Sequence, residues 1–113
     1  MNFMSRNRQR TLINRFFDHL NQRNFTEAER QLELIKQRKN TDKKRGYINA
    51  LEGMLIALKS NDQRYAFISR IEEEKISNFQ KEFSKQSKNP LFTDFDKGFF
   101  TAWADYMKII GKK

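Results

Sequence analysis

At 113 residues with a formal net charge of +9, the chain has the size of one domain and a strongly basic balance. It holds no Cys, a single His, four Gly and one Pro. That composition excludes disulfide staples, thiolate metal sites and thiol catalysis, and leaves little turn chemistry for a fold of many short strands.

Leu, Lys, Arg, Gln and Glu favour helices, and the apolar set is dominated by 11 Phe, 3 Tyr and 1 Trp. The expectation is an all-α fold of about five helices, one helical domain over residues 1–113, with an aromatic core. The start Met1-Asn2-Phe3-Met4-Ser5-Arg6 lacks the apolar core of an export signal, and no stretch approaches the roughly 18 apolar residues of a membrane span. These features lead us to expect a cytoplasmic protein that does not have a membrane as its partner.

In the first helix, from about Arg6 to Gln22, Leu12, Phe16 and Leu20 recur at i, i+4, i+8 with Ile13 and Phe17 beside them. Arg6, Arg8 and Arg10 are expected to precede or open it. Asn24 with Glu27 three residues on forms a capping-box pattern for a second helix, whose buried face is Ala28, Leu32 and Ile35. A third helix opens at Thr41 or Asp42. The cations Lys43, Lys44 and Arg45 in its first turn oppose the helix dipole, which implies another use for them. From Tyr47 to Leu58 this helix is apolar on nearly every side and is expected at the centre of the fold. Gly53 in its middle predicts close approach of another helix backbone.

Asn61-Asp62 marks a turn before a fourth helix carrying Tyr65, Ile68, Ile76, Phe79 and Phe83, together with the acidic run Glu72-Glu73-Glu74. The polar stretch from Ser84 to Pro90 is expected to end it. Thr93 or Asp94 caps the last helix, where Phe95, Phe99, Trp103, Tyr106 and Ile110 share a face and Phe100 and Met107 widen it. Gly98 predicts close packing and Gly111 a C-terminal stop.

The stretch His19–Ile35, reading HLNQRNFTEAERQLELI, resembles the turn and second helix of a tetratricopeptide-type repeat, with Phe25, Ala28, Leu32 and Ile35 in the aromatic, small and apolar places. The segment ALEGMLIALKSND resembles the first helix of a following repeat, with Gly53 at the small position, Ile56 at the large apolar one and Ala66 beyond. The resemblance covers about half the chain and implies an antiparallel helical-hairpin stack that offers a face to a partner. The chain as a whole is also similar to small archaeal helical proteins, which implies no activity.

Few groups suit catalysis. His19 is the sole histidine and has no identifiable partner in sequence, adjacent helical glutamates point apart and do not converge on an ion, and no phosphate-binding loop or nucleophile motif occurs. A non-catalytic role without cofactor, metal or small-molecule substrate is therefore expected. Phe16-Phe17 after Arg10-Thr11-Leu12-Ile13 resembles a sliding-clamp-binding peptide, though both rings also suit the core.

The charge is informative. Residues 1–45 hold 12 Lys and Arg against 5 Asp and Glu, the remainder 11 against 9. Arg6, Arg8 and Arg10 form one basic cluster, and Arg38, Lys39, Lys43, Lys44 and Arg45 a second. In an antiparallel stack both clusters fall at one end, a patch suited to the phosphates of RNA or a ribonucleoprotein. The alternative is a protein adaptor or homodimer that uses the aromatic set Phe92, Phe95, Phe99, Phe100, Trp103 and Tyr106.

Overall fold

The computed structural model describes residues 2–37, 41–60 and 73–111, with side chains from Gln9 onward and, in the last stretch, from Lys75. Among these residues there are five helices and no strand: α1 (Asn2–Asn21), α2 (Phe25–Lys36), α3 (Asp42–Ser60), α4 (Glu73–Ser87) and α5 (Asp94–Ile110). They belong to two compact units, Met1–Lys39 and Asn40–Lys113. No helix among the described residues is long and apolar enough to cross a membrane.

In the first unit, Leu12, Phe16, Phe17 and Leu20 of α1 are buried, as the periodicity predicts, and the Phe16 and Phe17 rings meet edge to face at 5.7 Å. Their burial answers the clamp-peptide resemblance, since a ring with no accessible surface has none to offer. The helix begins at Asn2, earlier than expected, so Arg6, Arg8 and Arg10 lie within it. It ends in a Schellman-type turn in which the Asn24 amide donates to the His19 carbonyl at 2.8 Å and the Arg23 amide to that of Leu20 at 3.0 Å. That turn holds Arg23 in the left-handed region at φ 59°, and its guanidinium lies 5.3 Å from the centre of the Phe25 ring. The capping box does not form. Asn24 stands at the N-cap of α2 without a side-chain cap bond, and Glu27 pairs with Arg30 at 3.7 Å. α2 nevertheless buries Ala28, Leu32 and Ile35, together with Gln31.

Among the described residues of the second unit α5, and not α3 as the sequence suggests, is the helix on which both others pack, while α3 buries Ile48, Ala50, Leu51, Met54, Leu55, Ala57 and Leu58. Thr41 caps it, its Oγ1 accepting from the Lys44 amide at 3.1 Å. The predicted crossing at Gly53 is not found. A methyl group there meets no atom of the described residues within 4 Å. The crossing lies about two turns earlier, at Gly46, where an added methyl would stand 1.8 Å from the carbonyl oxygen of Phe95 in α5. Gly98 is the reciprocal position: a methyl on it would stand 1.8 Å from the carbonyl oxygen of Lys43. The first turns of α3 and α5 are thus in backbone contact. The Tyr47 hydroxyl donates to Asp105 Oδ2 at 2.7 Å, about two turns further along α5 than Gly98, so the two helices leave their crossing in the same sense.

α4 runs against α5 in the opposite direction. A methyl on Gly111, just past the end of α5, would lie 3.1 Å from Cγ2 of Ile76 near the start of α4, while Phe83 near its end stacks with Phe100 at 6.3 Å and tilts against Trp103 at 5.8 Å. Tyr65 and Ile68, expected on this helix, lie outside the described residues, as does Glu72. α4 ends at Ser87, within the polar stretch from Ser84 to Pro90 as expected, and the proline ring restricts Asn89 just beyond it. Asn89–Phe92 then forms a tight turn, closed by the Phe92 amide on the Asn89 carbonyl at 3.1 Å and by the Leu91 amide on Asn89 Oδ1 at 2.9 Å. Thr93 caps α5, accepting from the Asp96 amide at 3.2 Å. The helix stops at Gly111 as predicted, with φ −70°, so the left-handed freedom of glycine is not what ends it.

Candidate nucleic-acid interface

The basic residues singled out by the sequence fall into both units, and each set is described within its own. In the first unit α1 carries Arg6, Arg8, Arg10 and Arg15, while Asp18 is its one carboxylate; none lies in its first turn. Arg10 and Arg15 are exposed. Arg15, like Arg10, lies off the apolar stripe of α1, so the helical period accounts for its exposure. Arg38 and Lys39 lie outside the described residues.

In the second unit Lys43 and Arg45 are exposed and Lys44 is half-buried. The first turn of α3 is less repulsive than its sequence suggests. Arg45 Nη1 binds Asp42 Oδ1 at 2.9 Å, one turn apart, so one of its three cations is neutralised locally. Because the pair is exposed, it adds only a few tenths of a kcal/mol, about 0.3–0.5. What a phosphate would meet here is Lys43, Lys44 and the outer edge of the Arg45 guanidinium.

The aromatic set of α5 divides. Trp103 and Tyr106 are buried, at 5 % and 3 % exposure, and belong to the core. Phe92, Phe99 and Phe100 are half-buried, linked by ring contacts of 5.6 Å between Phe92 and Phe100 and 5.5 Å between Phe99 and Phe100. Phe95 is 39 % exposed. The sequence could not separate those of α5, since Phe95, Phe99, Phe100, Trp103 and Tyr106 all sit within a residue of the same helical stripe, while Phe92 precedes its cap. It also gave no reason to single out Leu91, which is 89 % exposed at the tip of the α4–α5 turn.

Among groups able to do chemistry, His19 is half-buried in the last turn of α1, and its Nδ1 is enclosed without a hydrogen-bond partner among the described residues. Gln9 Oε1, Asn21 Nδ2 and Gln31 Oε1 are enclosed in the same way, all in the first unit. Burial pushes the Tyr106 phenol up to about 12, so it stays protonated and offers no base near neutral pH. Among the described residues no three His, Asp or Glu side chains stand close enough together to hold a metal ion. Comparison with known proteins gives no match, whether to family models, curated proteins or solved structures.

Proposed function

We propose that the chain is a non-catalytic docking module that grips an acidic macromolecule, RNA or a ribonucleoprotein, through its arginine-rich first helix. The observation that carries this reading is the charge imbalance of α1, where four arginines stand against Asp18 alone. Its amino-terminal turn carries no carboxylate, so the positive end of the helix dipole adds to the field of the arginines. A helical-hairpin scaffold of tetratricopeptide type, placed in the cytoplasm, belongs to the same reading. The competing view, a protein interface on the aromatic C-terminal helix, is weakened by the burial of Trp103 and Tyr106, its two largest polar-tipped anchors.

Such contacts read phosphate and not sequence, so affinity falls steeply with salt. If Arg6, Arg8 and Arg10 each hold one phosphate of a single strand, together they contribute about −2 to the slope of log K against log salt. Fluorescence anisotropy with a labelled RNA across a salt series measures it. Reversing Arg6, Arg8 and Arg10 to Glu is expected to flatten the slope by about 2. Absence of RNA and DNA binding at low salt, or a slope unchanged by the reversals, overturns the proposal.

A further inference from the structure

The end of the second unit where α3 and α5 begin combines two features. The first is an apolar tip. Leu91 is 89 % exposed, and Phe95, four residues on at the start of α5, is 39 % exposed. Leu91 is held out and not merely loose: Asn89 Oδ1 binds its amide at 2.9 Å, while the next residue, Phe92, turns inward to stack on Phe100 at 5.6 Å. The turn therefore fixes one side chain in the core and its neighbour in solvent.

The second feature is a basic collar. Gly46 and Gly98 seat the first turns of α3 and α5 on one another, which brings Lys43, Lys44 and Arg45 to the same end as Phe95 and Lys97. Lys85 and Lys88 approach it from the end of α4, six residues or fewer before Leu91 in the chain. Six cations thus stand against the three carboxylates of Asp42, Asp94 and Asp96, and Asp42 is already bound to Arg45 at 2.9 Å.

We propose that this end docks on an anionic lipid bilayer surface, with Leu91 and Phe95 entering the headgroup and acyl boundary and the lysines facing the lipid phosphates. Charge complementarity selects the occupant. Polyanions such as RNA satisfy the lysines but give a protruding leucine nothing apolar to enter, whereas a bilayer satisfies both. The absence of a spanning helix does not bear on this, because docking needs one shallow apolar tip and a basic rim and not a hydrophobic stretch. This proposal stands on Leu91 and is independent of the arginines of α1, so each reading fails on its own variants.

The test is flotation of the full chain with phosphatidylcholine vesicles, with and without phosphatidylserine. Binding to the anionic vesicles alone is expected. Leu91→Asp, which changes an exposed side chain and leaves the circular dichroism spectrum intact, is expected to weaken it at least tenfold. Leu91→Trp is expected to keep it and to show a blue shift of emission on binding, against a Trp103 background that is already buried. The proposal is overturned if the wild type does not float, if it floats equally with neutral vesicles, or if Leu91→Asp floats as the wild type does while Lys43→Glu with Lys88→Glu does not, the pattern of a polyanion site. It is also overturned if light scattering shows a dimer that Leu91→Asp dissolves.

Discussion

The phenol of Tyr106 shows how burial of one group links the core to pH. At 3 % exposure, with Trp103 edge to face at 6.2 Å, the ring is well packed, and removal of its proton would leave a charge in an apolar setting. Its pKa is accordingly raised from 10.0 to about 12. Because the folded value lies above the unfolded one, the unfolded chain releases the proton first as pH rises. Stability is intact below pH 10 and is lost between about pH 10 and 12, by up to about 3 kcal/mol. Tyr106→Phe keeps the ring and has no proton to lose, so its urea midpoint is expected to decline less across that window than the wild type. Equal declines would show that Tyr106 ionises as easily folded as unfolded. The aromatic stripe of α5 was legible in the sequence, but the division into a buried Tyr106 and an exposed Phe95 was not. That division depends on where α3 and α4 lie against α5, which no local spacing encodes.

The helices themselves were legible because each carries a long apolar period. Their ends and crossings were less so. Thr41 and Thr93 act as caps as their sequence context predicts, whereas Asn24 does not, because the Schellman turn already sets the backbone entering α2. The glycines make the same point with larger consequences. Gly53 and Gly98 look alike in sequence, each a glycine inside an apolar helix, yet one faces no atom of the described residues and the other a carbonyl oxygen. Gly53→Ala is therefore expected to stabilise the protein by about 1 kcal/mol, the ordinary gain in helix propensity. Gly98→Ala forces α3 and α5 apart at the Lys43 carbonyl and is expected to destabilise by about 3 kcal/mol or more. Urea unfolding of the two variants checks both signs, and two shifts in the same direction would mean that the crossing is not where the glycines place it.

At the scale of the whole molecule, the candidate site was legible as composition and not as geometry. The excess of cations before residue 46 is plain in the sequence, but the chain divides near residue 39, so the arginines of α1 and the lysines of α3 belong to different compact units. That division also decides which part is able to fold alone. Residues 1–39 form a two-helix hairpin carrying 9 Lys and Arg against 4 Asp and Glu, a size at which a core seldom closes without staples and a charge that opposes compaction. Residues 40–113 hold α3 and α4 packed on α5, joined by the glycine crossing, the Tyr47–Asp105 hydrogen bond and the ring contacts of Phe83 with Phe100 and Trp103. A fragment of residues 40–113 is expected to keep its helical circular dichroism and a cooperative urea transition, while one of residues 1–39 loses much of its helix at 25 °C, since the 12-residue α2 is too short to hold in water alone and a two-helix hairpin buries little apolar surface. If the short fragment folds and the long one does not, the stability of the chain resides in the α1–α2 hairpin, and the arginines of α1 then sit on its most rigid element instead of its most dependent one.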